Sequence, residues 1–99
     1  MEISAVKENG IIRVKIDGRI DMDAAMKLEQ AFLKYSASGS VFELDFSGVE
    51  FIGSAGIRAL ITLYRIVTEK EGSVTISNAQ QQVLDVLGET DFLPLFNIK

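Results

Sequence analysis

Ninety-nine residues carry 47% hydrophobic and 24% charged side chains, a formal net charge of −4, and neither cysteine nor histidine. That balance suits one packed globular domain over residues 1–99 and excludes disulfides, thiolate or imidazole metal sites and nucleophilic devices that need cysteine or histidine. A mildly acidic chain with scattered lysines and arginines has no footprint for a phosphate backbone, so no nucleic acid is expected as partner.

The start, Met1-Glu2-Ile3-Ser4, has neither the basic residues nor the apolar run of a signal peptide. The longest apolar-rich stretch, Ala59 to Val67, is interrupted by Thr62 and Arg65 and falls short of a membrane span. A cytoplasmic chain without direct membrane insertion is the expectation.

In chain order, Ile3–Lys7 and Ile11–Asp17 read as strands joined by Glu8-Asn9-Gly10, and Asn-Gly supplies the positive φ angles of a hairpin turn. Ile12, Val14 and Ile16 alternate with Arg13, Lys15 and Asp17, so one face is buried and the other wet. Gly18-Arg19-Ile20-Asp21 leads into a helix whose inward stripe is expected to be Met22, Ala25, Leu28 or Glu29, Phe32 and Tyr35. Asp21 is its expected N-cap, with Asp23 in the first turn at the positive end of the dipole.

Val41–Phe46 reads as a third strand and Ser47–Gly53 as a connecting segment. A second helix is expected from Ser54 to Lys70, apolar over most of its circumference and therefore central, ending at Gly72. Its one polar stripe is Arg58, Thr62, Arg65 and Glu69, with Ser54 at the exposed end and suited to cap the helix. Ser73–Ile76 is a further strand. Asn78-Ala79-Gln80-Gln81 resembles a capping box for a helix carrying Val83, Leu84 and Leu87 inward and stopping at Gly88. Beyond Pro94, Leu95–Ile98 forms a last short strand or a packed tail. The order ββαβαβα predicts an α/β mixed sheet, an antiparallel N-terminal hairpin followed by parallel strands, with helices packed mainly on one face.

Little in this chain points to catalysis. Asp17, Asp21 and Asp23 are the best carboxylate candidates for a metal, but a cap and solvated acids account for them, and neither metal nor cofactor is expected. Gly53-Ser54-Ala55-Gly56 fails as a phosphate-binding loop, because Ile57 stands where lysine is needed. It fails as a nucleophile elbow too, because Ile52 stands where glycine is needed. With no acid–base pair in view, the chain does not read as an enzyme.

The run Leu44-Asp45-Phe46-Ser47-Gly48-Val49-Glu50-Phe51-Ile52-Gly53-Ser54-Ala55-Gly56-Ile57-Arg58-Ala59-Leu60 resembles the central motif of STAS domains, the anti-sigma factor antagonists. Gly18-Arg19-Ile20-Asp21 and Gly88-Glu89-Thr90-Asp91-Phe92-Leu93 resemble two further stretches of that family, so the likeness covers essentially the whole chain. It implies a STAS-like fold and a partner switch: the unphosphorylated protein binds an anti-sigma factor that is also a serine kinase, and phosphorylation releases it. A PP2C-type phosphatase reverses the modification.

Aligned residue by residue, the phosphoacceptor is Ser54, and the partner surface comprises Asp21, Gly53, Ser54, Ala55, Gly56 and Arg58. Arg58, one turn beyond Ser54, is expected to pair with the phosphate. Two positions depart from the family pattern: Gly53 replaces an acid, and Ala55 replaces serine or threonine. Gly53 leans toward the alternative reading, a non-phosphorylated STAS subunit that regulates or scaffolds a transporter or sensory complex.

Overall fold

The computed structural model describes all residues from Met1 to Lys99. Strands β1 (Glu2–Glu8) and β2 (Ile11–Ile20) form an antiparallel hairpin, and Asn9 and Gly10 at its tip have φ of 52° and 80°, as Asn-Gly requires. Helix α1 (Met22–Ser36), strand β3 (Val41–Ile52), helix α2 (Ser54–Thr68), strand β4 (Ser73–Ser77) and helix α3 (Gln81–Gly88) follow. A single 3-10 turn, Leu93–Leu95, carries Pro94 into strand β5 (Asn97–Ile98). The five strands lie in the order β1-β2-β3-β4-β5, antiparallel at the first pair and parallel thereafter. The expected mixed sheet is the observed one.

Alternation places the core. Ile12, Val14 and Ile16 of β2, Phe42, Leu44 and Phe46 of β3, and Val74 and Ile76 of β4 join one buried cluster with Leu28 and Phe32 of α1 and Leu60 and Leu63 of α2. Phe32 meets Phe42 edge-on at 6.3 Å between ring centres, a favoured aromatic geometry. Burying each such side chain stabilises the fold by roughly 1.5–3 kcal/mol. The opposite sheet face stays polar. There Lys15 Nζ lies 3.4 Å from Asp45 and 3.8 Å from Asp17, and donates to Ser47 Oγ at 2.7 Å.

Four expectations from the sequence are corrected. Ser47–Ile52 is strand rather than connection: β3 continues beside β2 to the pair Ile20↔Ile52. Two register shifts give β3 an extra residue each, so its buried positions step by three, from Phe46 to Val49 to Ile52. Bulges of this kind break the two-residue alternation that marks a strand. The strand β2 correspondingly runs past Asp17 to Ile20.

Met22 does not face inward; it is 71% exposed, and Ala24 takes its place beside Ala25, Leu28 and Phe32. The capping box at Asn78 is absent. Asn78 sits in the left-handed region with φ of 59°, its amide reaches Asp45 Oδ1 at 3.4 Å, and Gln80 occupies the N-cap position of α3 without a side-chain cap. Helix α2 stops at Thr68 rather than Lys70, and Glu71, just before Gly72, adopts the left-handed conformation with φ of 59°. Gly72 is needed instead because a Cβ there would fall on the Ser40 carbonyl oxygen.

Asp45 ties three segments together on the polar face. Partial burial works against its ionisation, but hydrogen bonds from the Ser47 amide and hydroxyl, from Asn78 and from Lys15 outweigh it, and its pKa lies below the ordinary 3.8. A depressed carboxylate contributes stability that is fully present above its unfolded pKa and is lost as pH falls through the lower folded value. Asp45→Asn is therefore expected to reduce the loss of stability on acidification. Urea midpoints for the two proteins between about pH 2 and pH 5 would check this, and parallel curves would count against it.

Candidate functional site

Parallel pairing brings two helix starts together. Ile20 and Ile52 are register partners at the ends of β2 and β3, so the next residues, Asp21 and Gly53, stand side by side as the N-caps of α1 and α2. The Gly53 amide donates to the Ile20 carbonyl at 3.0 Å, which locks the two chain turns to each other. Gly56 closes the arrangement from below. It is buried, and a Cβ there would lie 2.7 Å from both Ile20 Cγ2 and Ile52 Cγ1, so only glycine lets the first turn of α2 approach the sheet this closely.

The two helix starts differ electrically. Asp21 Oδ1 accepts from the Ala24 amide at 2.9 Å, and Asp23 adds an acid in the first turn of α1. Helix α2 has neither: Gly53 brings no side chain, no side-chain cap is made, and its first turn carries no acid. The amides that open α2 therefore keep their partial positive charge. Ser54 is the first residue of the helix rather than its cap, one position later than the sequence suggested, and it is exposed. Its hydroxyl sits where an added anion would meet those free amides.

The remaining expected residues divide by burial. Ala55 is half-buried and Arg58 exposed, and both line a shallow groove between the helices with Met22, Ala25, Met26 and Glu29. Gly56 is behind the surface and shapes the site without reaching it. The stripe predicted on α2 is open, with Arg58, Arg65 and Glu69 exposed and Thr62 half-buried, its hydroxyl donating to the Arg58 carbonyl at 3.0 Å.

Sequence reasoning passed over Arg19 and Phe51. The Arg19 guanidinium lies 4.3 Å from the centre of the Phe51 ring, and that ring lies 3.5 Å from where a Gly53 side chain would begin. A cation over an aromatic face at such an exposed spot is worth roughly 0.5–1 kcal/mol. The only signal in the sequence was Phe51, a large apolar residue just before the motif's glycine, and it became legible as an outward residue once β3 was known to continue to Ile52. Met22 was expected to face inward because the helical period alone does not show which side α2 covers.

No group of three acidic side chains is placed to hold a metal ion, and no helix is long and apolar enough to cross a membrane. The chain has relatives of known kind. It is 26% identical over 98 residues to the anti-sigma-F factor antagonist RsfB of Mycobacterium tuberculosis, covering 96% of this chain and 80% of that one. An anti-sigma factor antagonist from Mycobacterium paratuberculosis superimposes with a TM-score of 0.73 at 27% identity, over 96% of this chain and 84% of that one. The Bacillus cell fate determinant SpoIIAA, solved in its phosphorylated form, shares the fold with a TM-score of 0.77 at 12% identity, over 99% and 91% of the two chains. The family model described as Mlab, STAS domain matches residues 4–92. With its helix starts paired at Asp21 and Gly53, the chain belongs to the STAS domain family.

Proposed function

We propose that this chain is a cytoplasmic anti-sigma factor antagonist that works by binding rather than by catalysis. In its unphosphorylated state it binds an anti-sigma factor that is also a serine kinase. Phosphorylation of Ser54 releases it, and a PP2C-type phosphatase restores the binding form. The observation that carries this reading is an exposed hydroxyl on the first residue of a helix whose N-terminus nothing caps.

Phosphate adds about −1.5 to −2 charges and three acceptor oxygens. Here it meets unpaired amides and the positive end of the dipole, so the fold accommodates it and the effect falls on the partner. Gly53 bears on this directly. An acid at that position would repel the phosphate and compete for the same amides; glycine does neither. Arg58 makes no ion pair within the chain and stands one turn along the same exposed stripe, where it can hold the phosphate. Asp21, Ser54, Ala55 and Arg58 form the contact surface in this reading, with Gly53 and Gly56 setting its shape.

Intact-mass measurement with fragmentation, on protein taken from its native cells, tests the assignment. A single phosphate on Ser54 is expected. Phosphate elsewhere, or none under any growth or stress condition, would overturn it. That result would favour the second reading, a STAS subunit that scaffolds a transporter or sensory complex without phosphorylation, which Gly53 supports if the kinase requires an acid at that position.

A further inference from the structure

The two bulges of β3 leave Ser47 and Glu50 without a partner on β2. Register passes from Lys15↔Asp45 to Asp17↔Gly48, with Ser47 inside the shift, and from Gly18↔Val49 to Arg19↔Phe51, with Glu50 skipped. Strand β4 offers them nothing either, since its pairing with β3 ends at Asp45↔Ser77. A bulge interrupts the ladder, so the backbone groups of such residues need partners from elsewhere.

Helix α3 supplies them. Gln80 Nε2 donates to the Ser47 carbonyl at 2.9 Å, and Gln82 Nε2 to the Glu50 carbonyl at 3.4 Å. The two side chains are also joined, Gln82 Nε2 donating to Gln80 Oε1 at 2.6 Å. Ser47 is held at its other groups too: its amide donates to Asp45 Oδ1 at 2.9 Å, and its hydroxyl accepts from Lys15 Nζ at 2.7 Å. Gln80 stands at the N-cap of α3 yet makes no side-chain cap there, because its amide is engaged on β3. Val83 and Leu87 are buried and anchor the helix that carries both glutamines.

We propose that Gln80 and Gln82 form a clamp that fixes the bulged register of β3 and thereby positions Ser54. The bulges decide which residues in the last half of the strand face the core, Val49 and Ile52 being buried three positions apart. A strand that lost one bulge would turn its following side chains to the opposite face and move the point where Gly53 leaves the sheet. Strand β2 holds this half of β3 from one side, and the glutamines hold it from the other. Both are positioning residues that act through β3. The clamp itself follows from the geometry of β3; its effect on partner binding rests on the reading of Ser54 as the switch.

Hydrogen exchange of the full chain, followed residue by residue by NMR, tests the clamp. Methionine matches glutamine in length but donates nothing, so Gln80→Met combined with Gln82→Met removes the bonds and keeps the shape. The Gly53 amide, bonded to the Ile20 carbonyl, is expected to exchange about tenfold faster than in the wild type. The Ser73 amide, bonded to the Ser40 carbonyl beyond the other end of β3, should keep its rate to within about threefold. Gln80→Lys alone, which retains a donor of similar reach, should leave Gly53 within about threefold of the wild type. Affinity for the anti-sigma kinase should fall about tenfold in the double methionine variant and recover in Gln80→Lys.

Unchanged exchange at Gly53 overturns the proposal. So does equal acceleration at Gly53 and Ser73, which would mean a loss of overall stability only, or a Gln80→Lys variant that behaves like the methionine one. Faster exchange at Gly53 with undiminished kinase affinity would also overturn it, since Ser54 would not then depend on the clamp. A wild type that binds no kinase would overturn the reading of Ser54 as the switch, and exchange at Gly53, the residue before Ser54, would still decide the clamp.

Discussion

Ser54→Glu is expected to lower affinity for the anti-sigma kinase at least a hundredfold while leaving the melting temperature unchanged or slightly raised. The two halves of this result have separate causes. Within the fold, a carboxylate at the first position of α2 meets uncapped amides and the positive end of the dipole, which favours it by roughly 0.3–1 kcal/mol. At the proposed interface, the same carboxylate would be desolvated against a partner shaped for a hydroxyl. An unpaired buried charge costs about 3–5 kcal/mol, which is more than a hundredfold in affinity.

Ser54→Ala is the control. It removes the phosphoacceptor without adding charge, so binding should persist and become insensitive to ATP. Titration calorimetry with the purified kinase, alongside thermal melts, would measure both. If Ser54→Glu bound as tightly as the wild type, charge at this position would not be the switch.

The second large effect is expected at Gly56. Gly56→Val should destabilise the protein by about 2–3 kcal/mol and weaken partner binding as well. The first new carbon already lies 2.7 Å from Ile20 Cγ2 and Ile52 Cγ1, both on buried side chains whose branched ends cannot turn away. The helix start must lift from the sheet to make room, and Gly53, Ser54 and Ala55 lift with it. Helix propensity acts the other way, since valine improves on glycine by less than ~1 kcal/mol, so the overpacking must outweigh that gain. Urea denaturation would give the sign. A variant as stable as the wild type would mean that the close approach of α2 to the strand ends is not required.

Much of this architecture was legible in the residues. Asn9-Gly10 announced the hairpin, the alternation from Ile12 to Asp17 told the buried face from the wet one, and Asp21 announced the start of α1. Each of these signals is local: a turn geometry, a two-residue period, a side chain reaching three residues along its own chain. The motif around Ser54 was legible as well, because its glycines and serine lie within four consecutive positions.

What failed were readings that needed a neighbour. The second half of β3 looked like a connection because its bulges, set by pairing with β2, spread the inward residues to every third position. Asn78 looked like a cap because nothing in its own segment shows that Asp45, on another strand, would hold its side chain. Ser54 looked like the cap of α2, yet the start of the helix is decided by where β3 stops pairing and the Gly53 amide turns to Ile20.

The sequence by itself determined the element order, the sign of each sheet face and the serine on which the proposed switch turns, because local conformational preference and hydrophobic period act within one segment. Tertiary structure decided that Asp21 and Gly53 stand together, that one helix start is capped and the other left open, and that Met22 faces outward. Those depend on register and on which element covers which face, and register is a property of two strands, not of one.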